Sequence, residues 1–152
     1  MEYFTRLSLI KKLGFLLFLI AFSNALTAQV RINSTNYPNL REAFNGINAG
    51  HYVGQNIVIE ITGNTTESQK SEITFNTPSY QSITIRPSGT GTRTITFPSG
   101  VAESIVFRDA HDITIDGNNK QLSIVNHNGY RAIQFYNTDD VIVKDCLDCR
   151  PQ

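Results

Sequence analysis

The feature that most constrains this chain is a return of strand-like pieces at a spacing of about 28 residues. Ile83 and Ile85 come back as Ile113 and Ile115, and those as Val141 and Val143. Ile95 and Phe97 come back as Leu122 and Ile124, and Ile105 and Phe107 as Ile133 and Phe135. Each pair lies in a short alternating run: "SITIR", "DITID" and "DVIVK" in one series, "RTITF" and "LSIV" in a second, "SIVF" and "AIQF" in a third. Alternation with period two marks a strand with one buried face. Gly, Asn, Pro, Ser and Asp lie between the runs and read as turns. Three strands that return in the same order predict a solenoid rather than a sandwich.

The expected fold class is therefore all-β: a parallel β-helix of about 2.5–3 coils with a period near 28 residues. One repeat runs from 83 to 112 and the next from 113 to 140. A shorter turn begins at Ile57 and takes "EITF" as its second strand, its third being missing or replaced by the segment around Tyr80, and a final turn begins at Asp140. Inward columns should stack Phe107 on Phe135, and Ile83, Ile113 and Val141 on one another. Thr84, Thr114 and Ile142, with Val106 and Gln134, should face outward. Ahead of the strands, "NYPNLREAFNGINAG" places Leu40, Ala43, Phe44 and Ile47 on one helical face. Pro38 suits a first turn and Gly50 a stop, so a helix is predicted over about 38–48. Its expected role is to cap the open end of the first coil.

The first 28 residues read as a secretory signal. Arg6, Lys11 and Lys12 precede an apolar run, Leu13 to Phe22, and "NALTA" offers small residues for cleavage after Ala28. That run is well short of the roughly 20 residues a bilayer span needs; an uncleaved N-terminal anchor is the alternative. No later stretch is apolar enough to span, so after signal cleavage no transmembrane segment is expected, and the product should be secreted or held at the cell surface. The expected division is 1–28 signal, 29–55 helical segment, 56–145 coils and 146–152 a frayed or truncated tail. Without the signal the chain carries 10 basic and 12 acidic residues. With no basic stripe, a nucleic-acid partner is not expected. Cys146 and Cys149 form a C-x-x-C pair with too few companion ligands for zinc; the bland reading is two residues near a chain end, oxidised to each other or not.

"YPNLREAFNGINAG", "NIVIEITGNTTES", "SITIRPSG" and "DITIDG", in that order, resemble the N-terminal part of exported surface proteins of Bacteroidetes-type bacteria with the right-handed parallel β-helix, pectin-lyase-like fold. The resemblance spans residues 37–145. It implies a right-handed solenoid, export, and a longer parent protein of which this chain is an N-terminal fragment. It also implies two kinds of function. One is a non-catalytic, adhesin-like scaffold that binds polysaccharide or cell-surface glycan. The alternative is a polysaccharide lyase or glycoside hydrolase whose catalytic coils are missing here. No catalytic motif of those enzymes is matched by residues of this chain, so the expectation leans away from an enzyme.

The acidic residues near "DITIDG" are the candidates for chemistry. Asp109, Asp112 and Asp140 are the metal candidates, and calcium is the cofactor that carboxylates of this kind suit. The period offers another account. Asp112 falls over Asp140, Asp109 over Asn137, His111 over Asp139 and Asp116 over Lys144. Asp and Asn at turns satisfy backbone groups and tolerate unusual dihedrals, so a stacked ladder of turns explains them without a metal. Tyr52, Tyr80, Tyr130 and Tyr136 are candidates for a sugar-stacking platform. The open strand edge of the last turn predicts self-association.

Overall fold

Short β-branched runs separated by turn residues pair with their equivalents about 28 positions away, and the pairing is mostly parallel. The computed structural model describes residues 28–74, 80–129 and 131–149. The signal reading and the last residues of the tail lie outside these. Among the described residues there are twelve strands and one helix. In chain order they are β1 (Val30–Ile32), β2 (Thr35–Tyr37), α1 (Leu40–Asn48), β3 (Asn56–Ile61), β4 (Thr65–Thr66), β5 (Ser71–Thr74) and β6 (Ser82–Pro87), followed by β7 (Arg93–Phe97), β8 (Ile105–Arg108), β9 (His111–Asp116), β10 (Leu122–Asn126), β11 (Ile133–Tyr136) and β12 (Asp139–Lys144). They form three sheets, ordered β12-β9-β6-β3-β1-β2, β10-β7-β4 and β11-β8-β5.

This corrects the expected fold class. The chain is a mixed α/β fold with mostly parallel sheets, not an all-β solenoid opened by a capping helix. Two strands precede the helix, and they run antiparallel: β1 pairs with β2 and with β3. The edge of β3 is thus covered by a strand, whose Arg31 sits opposite Glu60. The helix lies in the middle of the fold, against β5. Its Asn48 side chain donates to the Glu72 carbonyl (2.8 Å) and accepts from the Thr74 N–H (3.2 Å), as a neighbouring strand would. Three-residue strands carry too little alternation to be read as such, which is why β1 and β2 escaped the pattern.

Finer expectations divide in the same way. The columns of the large sheet hold: Ile57, Ile83, Ile113 and Val141 are in register, as are Ile59, Ile85, Ile115 and Val143. Phe107 stands against Ile73 and Phe135, and the Phe107 and Phe135 rings stack with centroids 5.4 Å apart. The second sheet is shifted from the expected register. Ile95 pairs with Ile124, Leu122 with Arg93 and Phe97 with Asn126. Ser71–Thr74, expected as a second-series strand, pairs instead with β8, and the two-residue β4 supplies the strand that pairs with β7. Val106 and Gln134, expected outside, are buried. Long side chains lie across that face: the Tyr136 hydroxyl donates to Gln134 Oε1, and the Arg108 guanidinium sits 4.3 Å from the centre of the Tyr136 ring.

Helix α1 begins two residues later than expected, because Asn39 is the N-cap and accepts from the Glu42 N–H at 2.9 Å. Pro38 precedes the cap. Leu40, Ala43, Phe44 and Ile47 are buried, and the Phe44 ring lies 5.8 Å from Phe107. Gly46 lets the helix approach the sheet, since a Cβ there would stand 2.7 Å from Tyr37 Oη. Among the described residues no helix is long and apolar enough to cross a membrane.

Candidate functional site

The acidic candidates sit at corners whose backbone only a few residue types adopt readily. Asp109, Asp112, Asn137 and Asp140 all have φ between 50° and 53°. This left-handed region is costly for most L-residues and least so for Asp and Asn, whose short polar side chains bond locally. Equivalent corners stack: Asn137 Nδ2 donates to Asp109 Oδ1 at 2.7 Å, and the Asp139 N–H bonds the Ala110 carbonyl. Asp112 Oδ2 lies 2.8 Å from His111 Nδ1, and the His111 ring stacks on Tyr80 with centroids 5.2 Å apart. Asp109 is therefore turned to its neighbour along the corner, while Asp112 and Asp140 border a groove on the outer face of the large sheet.

Calcium takes six to eight oxygen ligands. Among the described residues no three His, Cys, Asp or Glu side chains converge closely enough to hold a metal ion. Asn137 donates to Asp109, and His111 lies beside Asp112, so each of these carboxylates already has a protein partner.

The groove beside Asp112 and Asp140 is shallow and open, about 510 Å³ in volume. Ser82, Thr84, Thr114 and Ile142 complete its floor. Thr84 and Thr114 are directly paired across β6 and β9, and Ile142 lies beside Thr114 on β12. Adjacent strands are about 4.8 Å apart, so the floor offers hydroxyl, hydroxyl and apolar contacts at that interval. Ile142 is 54% exposed, unusual for isoleucine in a strand.

Beside the groove, the same face carries a row of alternating charge: Arg31, Glu60, Arg86, Asp116 and Lys144, one from each of β1, β3, β6, β9 and β12. Arg31 and Arg86 both bond Glu60, Arg86 at 3.0 Å. Lys144 bonds Asp116 at 3.1 Å, the pair expected from the period. The Arg31 hydrogen bond, with help from Arg86, holds the Glu60 carboxyl below its ordinary pKa. The Asn118 N–H, followed by Lys144, does the same for Asp116. On the third sheet, burial pushes the Glu72 pKa up, but Lys70 and Arg108 together outweigh it and the net shift is downward.

Glu67 was missed by sequence reasoning. It is 1% exposed, and its carboxylate accepts from the N–H groups of Leu40 (2.9 Å) and Arg41 (3.0 Å) and from the hydroxyls of Thr65 and Ser71. A carboxylate at a helix N-terminus satisfies orphan donors and meets the positive end of the helix dipole. It lies 27 residues from its helical partner, so nothing local in the sequence marks it.

Among the described residues, Tyr52, Tyr80 and Tyr136 do not share an exposed platform. Tyr52 and Tyr80 are buried, and the Tyr37 and Tyr52 hydroxyls bond each other at 2.7 Å. Burial, aided by that bond, raises the Tyr37 pKa to about 12. Tyr136 is covered by Arg108, and Tyr130 lies outside the described residues. Cys146 and Cys149 are both thiols. The Cys149 thiol is buried and faces the Leu122 carbonyl at 3.8 Å. A hydrogen bond from Cys149 lowers the Cys146 pKa and raises that of Cys149, which burial raises further.

No protein-family model matches the chain, no curated protein matches its sequence, and no solved structure matches its fold.

Proposed function

We propose that this chain is an exported, non-catalytic scaffold at the cell surface or outside the cell, and that it binds neutral glycan along the outer face of the large sheet. The observation that carries this reading is the groove floored by Ser82, Thr84, Thr114 and Ile142 and flanked by Asp112 and Asp140. Hydroxyls and carboxylates suit the hydroxyl groups of a sugar, and an exposed aliphatic side chain suits the apolar face of its ring. The two carboxylates disfavour a polyanion, which argues for neutral chains over uronates. The alternative of a lyase or hydrolase gains less: acidic candidates at left-handed corners already have a backbone role. Export rests on the basic and apolar runs of residues 6–22.

A glycan array with the exported chain tests both parts. The expected result is binding to neutral polysaccharide, weakened at least tenfold by Thr84→Val with Thr114→Val, and a product whose N-terminus is Gln29. Turnover of an acidic polysaccharide, or binding untouched by the two valines, overturns the reading.

A further inference from the structure

We propose that Asn128–Gly129 is a self-modification site: the Gly129 nitrogen closes on the Asn128 side-chain amide, expels ammonia, and leaves aspartate or isoaspartate in the turn between β10 and β11. The proposal does not rest on the glycan reading.

Asparagine followed by glycine is the pairing in which this ring closure is least hindered, because no side chain crowds the attacking nitrogen. It occurs twice in the sequence, at Asn45–Gly46 and Asn128–Gly129, and the related Asp-Gly occurs once, at Asp116–Gly117. The fold separates the three. Gly46 lies inside α1, where its N–H belongs to the helical ladder, so closing a ring there requires the helix to open. The Gly117 N–H is held by the Lys144 carbonyl at 2.9 Å. The Asp116 carboxylate accepts from the Asn118 N–H at 2.9 Å and pairs with Lys144, and a carboxylate is a poor electrophile.

Asn128–Gly129 has none of these restraints. Gly129 is exposed, with φ of 71°, and a Cβ built on it would meet nothing within 4 Å. Its N–H bonds the Asn126 carbonyl within the same turn, at 3.3 Å. Two contacts prepare the amide. The Asn128 N–H donates to Asn126 Oδ1 at 2.9 Å, which fixes the residue in the turn. The Gly100 N–H, in the turn that follows β7, donates to Asn128 Oδ1 at 3.0 Å. A backbone N–H can only donate, so the amide oxygen faces Gly100 and the NH2 group is left free to depart. A donor placed on a carbonyl oxygen stabilises the negative charge that builds there during attack.

The step needs no co-reactant but water. The Gly129 nitrogen bonds to Asn128 Cγ, the Cγ–Nδ2 bond breaks, and the proton lost by Gly129 leaves with the ammonia. Water then opens the resulting succinimide. Opening at Cγ gives aspartate, and opening at the backbone carbonyl gives isoaspartate, which adds one carbon to the backbone of the turn. Either product sets a carboxylate against the Gly100 N–H and gives the chain one more negative charge.

The test holds the full chain in warm, mildly alkaline buffer and follows its peptides by mass, with enzymatic methylation marking isoaspartate. In the folded chain Asn128 should convert at least tenfold faster than Asn45 deamidates or Asp116 isomerises. In urea Asn45 should come within threefold of Asn128, since the helix alone protects it. Gly129→Asn, a residue that accepts a left-handed backbone, should slow conversion at Asn128 at least tenfold. Conversion at Asn128 no faster than at Asn45 in the folded chain, or more than tenfold slower there than in urea, overturns the proposal.

Discussion

Replacing Glu67 with alanine would leave the N–H groups of Leu40 and Arg41 and the hydroxyls of Thr65 and Ser71 without their shared acceptor. The hydroxyls can turn to other acceptors; the two helix N–H groups cannot. A buried donor left unsatisfied costs about 1–3 kcal/mol, and loss of a charge at a helix N-terminus costs about 0.3–1 kcal/mol more. Glu67→Ala should therefore destabilise the chain by about 3–5 kcal/mol, against a total that for a domain is about 5–15 kcal/mol. For a domain this size the melting temperature should fall by about 10–20 °C. Glu67→Gln keeps the shape and one acceptor but turns an NH2 group toward a donor, and should lose about 1–3 kcal/mol. Urea unfolding followed by circular dichroism, with the m-value checked for constancy, measures both. A loss under about 1 kcal/mol for Glu67→Ala would refute the reasoning, because it would mean that water or another residue satisfies the helix end.

Other expectations follow from the same geometry. Phe107→Ala empties the stack between Phe44 and Phe135 and should cost about 3–5 kcal/mol in urea unfolding. A Cβ at Gly117 would stand 2.1 Å from the Asp145 carbonyl oxygen, so Gly117→Ala should lift residues 145–149; a thiol reagent should then reach Cys149 nearly as fast as Cys146, whereas in the parent chain Cys149 reacts far more slowly. Glu60 and Glu72 have pKa values below their ordinary 4.5, so their contribution to stability is full above that value and is lost as pH falls through the lowered folded values. The urea midpoint should drop below about pH 4.5, and Glu60→Gln with Glu72→Gln should flatten that drop; an unchanged slope would place the acid sensitivity elsewhere.

The parallel registers were legible because alternation and a fixed period act together. Ile83, Ile113 and Val141 mark a buried column three times over, and the Asp116–Lys144 pair follows from the same count. What was not legible had no repetition behind it. β1 and β2 are too short to alternate convincingly, and their antiparallel turn onto β3 occurs once. The shift in the second sheet arises because Leu122, an apolar residue at the strand start, pairs with Arg93 rather than Ile95; matching apolar to apolar gave the wrong offset. Val106 looked outward by alternation and is buried by side chains from neighbouring strands. Of the site, the period indicated the corner aspartates, their turn role and the outward Thr84–Thr114 alignment, but nothing in the sequence pointed to Glu67.

The acidic corners are expected to owe their shape to backbone geometry rather than to a ligand. The most direct measurement compares Asp109→Asn with Asp109→Ala in urea. Asn occupies the equivalent corner at Asn137 with the same φ, so Asp109→Asn should stay within about 0.5 kcal/mol of the parent, while alanine in a left-handed position should cost about 1–2 kcal/mol. Equal losses for both substitutions, or a stabilisation of the parent by millimolar calcium that Asp109→Asn abolishes, would contradict it.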